Sequence, residues 1–273
     1  MFKIHINYIM DIPFTKAHGT GNDFIILYSE DVISIDVNED LIQQLCHRRT
    51  GIGADGLLLL SPSNTLDFKM DYYNNDGSWE TMCANGARCA VLYMHRRGLI
   101  KNKTSFYAGD GPHDAEIINS NHIRLRMKSP QYKTNSITIE GFEGCHVDSG
   151  ARHFTVPVDD LSEINVYKSG QKIRYSNEFS PKGINVNFFT KLGPSSIHVE
   201  TYEKGVEQIM LSCGSGSVAA VYHASQTFGI HSPVDIIVPG GGLKIEFDYN
   251  WENVWLTGIA ILSFTSTIPL DNV

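Results

Sequence analysis

The sequence predicts an α+β fold built as two pseudo-symmetric halves, and three observations carry that reading. The 273 residues exceed the length at which one hydrophobic core usually stops growing, which favours two domains over one. Short runs rich in β-branched and aromatic residues recur between clusters of Gly, Asn, Asp and Pro, as expected of a strand-dense chain. Two helix-like segments, finally, begin alike, one at Cys83 and one at Cys213.

The strand-like runs fall at residues 23–28, 56–60, 68–73, 115–118, 122–127 and 137–140, then at 183–189, 196–202, 234–238, 243–247 and 253–259. Three helices stand out between them. Residues 38–46 follow a polar start and space their apolar side chains at helical intervals, while 85–96 and 214–228 are rich in small residues and should lie deep against their sheets. Pro239-Gly240-Gly241-Gly242 reads as the turn joining two strands; with no GxxxxGK[ST] and no GxGxxG in the chain, it is not a nucleotide loop. Trp79, Trp251 and Trp255 are expected to fill cores or interfaces. The boundary between halves is expected near residues 129–134. This gives an N-terminal half of residues 1–131, completed by a strand within 262–273, and a C-terminal half of 132–261. Met10 could serve as an alternative start, which would make residues 1–9 a dispensable extension.

Charge and cysteine usage narrow the function classes. The formal charge is −8 and no stretch gathers enough Lys and Arg to neutralise phosphates, which argues against nucleic acid or an acidic membrane surface and for a small-molecule partner. No run of 18 apolar residues occurs and the N-terminus lacks a signal-peptide pattern, so a cytoplasmic location is expected. Five cysteines, an odd number without CxxC spacing, and the absence of HExxH make neither a disulfide framework nor a metal site expected.

The two helix starts are the most informative pattern. Met82-Cys83-Ala84-Asn85-Gly86-Ala87-Arg88-Cys89-Ala90-Val91 and Ser212-Cys213-Gly214-Ser215-Gly216-Ser217-Val218-Ala219-Ala220-Val221 agree, aligned on the first Cys, at Cys, Gly, Ala and Val. Each follows a strand that ends in a polar turn, Tyr73-Asn74-Asn75-Asp76-Gly77 before one and Tyr202-Glu203-Lys204-Gly205 before the other, so the segments read as two copies of one unit. At a helix start, unpaired N–H groups and the positive end of the dipole favour a thiolate and should lower the pKa of the thiol. The small residues that follow let a substrate carboxylate approach the backbone N–H groups. Two such units facing one cleft suit inversion at an α-carbon. One thiolate would take the α-proton from one face while the other thiol delivers a proton to the opposite face, with neither a metal nor pyridoxal phosphate called for.

Six stretches in order resemble the diaminopimelate epimerase family: Lys16-Ala17-His18-Gly19-Thr20-Gly21-Asn22-Asp23-Phe24, Gly51-Ile52-Gly53-Ala54-Asp55-Gly56, Asn74-Asn75-Asp76-Gly77-Ser78, Met82 to Arg88, Pro181 to Asn187 and Tyr202 to Gly216. The resemblance spans nearly the whole chain. It implies two similar halves, each a β-barrel-like sheet around a central helix, and conversion of LL-2,6-diaminopimelate to the meso form in lysine and cell-wall synthesis without a cofactor. Carried over residue by residue, it makes Cys83 and Cys213 the acid/base pair and places His153 and Glu203 beside the reacting centre, with Glu203 also meeting the substrate ammonium. Backbone N–H groups near Ala84, Asn85, Gly214 and Ser215 would hold the reacting carboxylate. Asn22, Asn74 and Asn185 match side chains that bind substrate, and Lys204 stands where the family has an arginine for the distal carboxylate. A homodimer is left open. Free Cys is usually a small buried hydrophobe, and that is the expectation for Cys46, Cys89 and Cys145; the matched contexts and the resemblance set Cys83 and Cys213 apart.

Departures from the family pattern fall on recognition of the distal end more than on the reacting centre. Ala84 follows the Cys where Gly is usual, Gly150-Ala151-Arg152 stands where Gly-Asn-Pro is common before His153, and Ile209-Met210 replace Glu-Thr. Lys204 offers a point charge instead of a bidentate guanidinium, a change that matters at a carboxylate clamp. These leave two competitors: an epimerase of the same fold for another amino acid, and a catalytically silent binding relative. Proline-racemase relatives place His two residues after the first Cys, where this chain has Asn85, and the intact cysteine pair counts against a silent module. Asp23, Asp55 and Asp76 are expected to shape turns and caps.

Overall fold

The computed structural model describes residues 11–272; the suggested extension at residues 1–9 with its start at Met10 lies outside them. The first half runs β1 (Asp11–Gly19), β2 (Asn22–Tyr28), α1 (Glu39–Cys46), β3 (Gly56–Ser61), β4 (Phe68–Asn74), β5 (Trp79–Glu80), α2 (Ala84–Arg96), β6 (Lys103–Ala108), β7 (Gly111–Ile117) and β8 (His122–Met127). Two short strands follow, β9 (Gln131–Tyr132) and β10 (Ile137–Ile139). The second half repeats the order: β11 (Phe142–Asp148), β12 (Arg152–Pro157), α3 (Val166–Arg174), β13 (Asn185–Gly193), β14 (Ser196–Glu203), β15 (Gln208–Met210), α4 (Gly214–Phe228), β16 (Val234–Val238), β17 (Gly241–Phe247) and β18 (Val254–Ile259), closed by β19 (Ile261–Pro269).

Strand pairing makes the repeat explicit. In the first half β2 pairs parallel with β3, β3 antiparallel with β4, and β4 parallel with β6. In the second, β12 pairs parallel with β13, β13 antiparallel with β14, and β14 parallel with β16. The sheets join through the antiparallel ladder β8–β18, Met127 opposite Val254. They also exchange their closing strands, since β9, which follows β8, pairs with β11, and β19, which follows β18, pairs with β1.

Each sheet wraps a helix. Every residue of α2 from Ala84 to Met94 is buried, and α4 buries Gly214 and the run from Gly216 to Val221, which is why both are built of small residues with no polar face to solvent. One apolar cluster runs through both helices, linking Ala87 and Val91 to Val218 and Val221, with smaller clusters under α1 and α3. The sequence favoured separate cores; small side chains at the helix starts instead let the two halves share one. Asn38 caps α1 by accepting from the Leu41 N–H at 3.0 Å, and Gly229 ends α4 in the left-handed conformation.

Elements without a sequence signal have physical reasons for it. β12 buries His153 to Val156 consecutively, so it lacks alternation, and β19 carries mostly exposed side chains. α3 buries only Val166, Gly170 and Ile173; Gly170 lies where Tyr202 packs, and a β-carbon there would stand 2.5 Å from that of Tyr202. Trp79 departs from the expected interior, being 49% exposed, whereas Trp251 is buried and stacks on Phe247 at 3.8 Å. Pro239 and Gly240 form the turn between β16 and β17. Among the described residues no helix is long and apolar enough to cross a membrane.

Candidate active site

Cys83 and Cys213 are the N-cap residues of α2 and α4, with nearly equal backbone angles of φ −125°, ψ 119° and φ −128°, ψ 109°. The two helix starts abut. A β-carbon added at Gly214 would lie 2.7 Å from the Ala84 methyl, so the methyl that replaces the usual glycine in one half sits against a glycine in the other. Asn85 ties the halves by donating to the Ser212 carbonyl at 3.0 Å. Because the Cys83 and Cys213 carbonyls take the N–H groups of Ala87 and Ser217, the amides before these residues are the unpaired first-turn donors of each helix.

The thiols depart from the expectation of a lowered pKa. Burial pushes Cys83 up to about 11, against the pull of the Gly86 and Asn85 amides. Burial also raises Cys213, further helped by the nearby Glu203 carboxylate and opposed by the Gly216 amide and Ser215. Desolvation of the thiolate outweighs the helix ends. Glu203 is pushed by burial up to about 7, held from rising further by its hydrogen bond with Cys213. The carboxyl, not a thiol, is therefore the group that changes charge near neutrality.

Period-two alternation sets one face of β12, β13 and β14 toward α4: His153 lies opposite Asn185, Thr155 opposite Asn187, and Asn187 opposite Thr201. The other face carries Phe154, Val186, Phe188 and Tyr202 into the core under α3. His153 is fully buried and does not meet a sulfur. Its Nε2 lies 3.0 Å from Ser215 Oγ, and Ser215 Oγ lies 3.7 Å from Cys213 Sγ. Burial pulls the imidazole down to about 4, so it is neutral at physiological pH.

In the first half, Asn22 sits under Cys83: its Oδ1 accepts from Cys83 Sγ at 3.7 Å and from Asn85 Nδ2 at 3.2 Å, while its Nδ2 donates to Asp55 at 2.7 Å. Asp55 and Asp23 form a frame with Arg48 and Lys16. Burial would raise the Asp23 carboxyl, but hydrogen bonds from Arg48 and Lys16 hold it at about 2. Asp76 caps its own turn through Ser78. Asn74 accepts from Tyr72 and donates to Ser78, and Asn185 accepts from the Lys204 N–H at 2.8 Å, so both brace the turns that precede the cysteines. The Lys204 side chain is exposed at the rim. Cys46, Cys89 and Cys145 are buried and free.

Tyr72 and Arg88, both at the site, carried no sequence flag. Burial raises the Tyr72 hydroxyl, with Cys83 and Glu203 adding to it, and that hydroxyl donates to Asn74 at 2.8 Å while the ring meets Phe24 edge-on; its i+2 spacing from Asn74 on β4 was the available signal. Arg88 is fully buried, donating to the Ala84 carbonyl, Asn85 Oδ1 and Thr20 Oγ1. An arginine inside a run of small helical residues was its signal.

The model of the family described as Diaminopimelate epimerase matches residues 14–133 and 145–262, one stretch in each half. The chain belongs to the diaminopimelate epimerase family. It is 40% identical to a diaminopimelate epimerase of Flavobacterium psychrophilum over 93% of this chain and 98% of the relative, and 37% identical to one of Aquifex aeolicus over 90% and 94%. Among solved structures, a hydroxyproline epimerase of Agrobacterium vitis with bound trans-4-OH-L-proline superposes with a TM-score of 0.70 at 12% identity, covering 97% of this chain and 94% of that one. A phenazine biosynthesis protein of the PhzF family from Bacillus anthracis gives 0.70 at 13%, covering 95% and 99%. These two likenesses concern the fold alone.

Proposed function

We infer that this family member is an isomerase that interconverts LL-2,6-diaminopimelate and meso-diaminopimelate, supplying lysine and peptidoglycan precursors. The observation that carries the reading is the pair of equivalent N-cap cysteines on helix starts that abut across the two halves. Such a pair can address both faces of one α-carbon. One sulfur, as thiolate, takes the α-proton; the carbanion is protonated on its other face by the second thiol, and the two sulfurs end with their protonation states exchanged. The unpaired amides near Ala84, Asn85, Gly214 and Ser215 hold the reacting carboxylate and stabilise the charge it gains as the proton leaves. Glu203 meets the substrate ammonium and exchanges a proton with Cys213, and His153 does so through Ser215. Asn22, Asn74 and Asn185 shape the pocket around the substrate, and Lys204 pairs with its distal carboxylate. These side chains suffice for the chemistry without pyridoxal phosphate or a metal. Free thiols and biosynthetic relatives support a cytoplasmic location.

The test is incubation with LL-diaminopimelate in deuterated water without added cofactor. The expected result is formation of the meso form with deuterium at the inverted carbon, lost in Cys83→Ala and in Cys213→Ala. Turnover at the wild-type rate in either variant would refute the two-thiol reading.

A further inference from the structure

The hydrogen-bond chain behind Cys213 does not stop at His153. His153 Nδ1 lies 2.8 Å from Asn187 Oδ1, and Asn187 Nδ2 lies 2.6 Å from Thr201 Oγ1. All three residues are buried, His153 and Asn187 completely. Asn187 reaches the imidazole from directly beneath the first turn of α4, where a β-carbon on Gly216 would collide with its amide nitrogen. That glycine is what admits the asparagine.

We propose that Asn187, oriented by Thr201, is a positioning residue that fixes His153 in the tautomer protonated on Nδ1, so that Nε2 is the proton-accepting end of a relay from Cys213 through Ser215. This rests on the two-thiol reading above. Asn187 Nδ2, which can only donate, faces Thr201 Oγ1, and Oδ1, which can only accept, faces the ring. Nδ1 therefore carries the proton of the neutral imidazole. Nε2 is left with a lone pair, which accepts from Ser215 O–H, and Ser215 Oγ in turn accepts from Cys213 S–H. Two proton hops along this line give a Cys213 thiolate and an imidazolium whose Nδ1–H remains bonded to Asn187. The reverse hops restore the thiol.

An amide suits this place better than a carboxylate. A carboxylate at 187 would hold the imidazole protonated at rest and fill the acceptor, as carboxylates do beside histidine. On β11, Val147 stands opposite His153 while the titratable His146 and Asp148 point to the other face of the sheet, and Cys213 and Glu203 lie beyond Ser215. Asp148 favours the imidazolium and His146 opposes it, and burial outweighs both.

The experiment uses full-length protein labelled with nitrogen-15 histidine. Long-range proton–nitrogen correlation should show the buried His153 ring protonated on Nδ1 with an unprotonated Nε2; a ring protonated on Nε2 overturns the proposal whatever the variants do. Kinetics supply the second readout. Asn187→Asp should show an imidazolium at neutral pH and lose kcat by about a hundredfold, the size of a general acid–base contribution, with KM unchanged. Asn187→Leu should lose kcat likewise while its His153 resonances show mixed tautomers. Wild-type kcat in both folded variants overturns the proposal. Failure of the parent reading is separate: it would appear as absence of α-hydrogen exchange in the wild type, with the tautomer still measurable.

Discussion

Replacing Glu203 by glutamine should stabilise the protein while disabling it, and the stabilisation should depend on pH. The carboxyl rises from its ordinary 4.5 to about 7 because the folded site desolvates its charge. A group whose folded pKa is raised contributes stability that is fully present below the unfolded value and is lost as pH climbs through the folded one. For Glu203 the loss begins near 4.5 and is complete somewhat above 7. Its ceiling is about 3 kcal/mol, which partial solvent contact of the side chain brings nearer to about 2 kcal/mol. Glutamine mimics the protonated form at every pH. Urea unfolding at about pH 4.5 should therefore barely separate Glu203→Gln from wild type, whereas at about pH 8.5 the variant should be more stable by about 2 kcal/mol. Epimerisation should fall by about a hundredfold or more in the same protein, since proton exchange with Cys213 is lost. An equal stability difference at both pH values would refute the desolvation argument, and retained kcat would remove Glu203 from the proton path.

Two further outcomes follow from the junction of the halves and from its rim. Gly214→Ala places a methyl against that of Ala84 and should destabilise by about 1–3 kcal/mol, largely recovered in the double variant with Ala84→Gly; a double-mutant cycle without coupling would mean the helix starts do not abut. Lys204→Ala should raise KM for diaminopimelate by about ten- to a hundredfold, the worth of a charge-assisted hydrogen bond, while Lys204→Arg keeps or improves it. An unchanged KM in Lys204→Ala would make the residue a turn lysine.

The helices and the repeat were legible because small residues buried on all sides leave a local, countable pattern: 214–228 coincides with α4, and 85–96 begins one residue inside α2. The site was legible where it lies on those helix starts. It was less so on β12, where His153 lies in a strand buried on both faces and shows no period-two signal. Asn187 went unmarked although it falls in the expected strand 183–189 with i+2 spacing from Asn185, because a polar side chain in a strand does not reveal its partner until pairing with Thr201 is known. The sign of the thiol shifts was also out of reach. Helix polarity can be read from a local motif, whereas desolvation depends on what distant strands bring to cover it.

The exchange of closing strands has a consequence for how the chain is made. β1, near the beginning, is flanked by β2 on one side and by β19, near the end, on the other. On a ribosome the first sheet must therefore wait with one edge bare through synthesis of the entire second half, a period when an unpaired strand invites pairing with another nascent chain. Only arrival of β19 shuts that edge, which makes this ladder, of very high sequence separation, a late and slow event in folding.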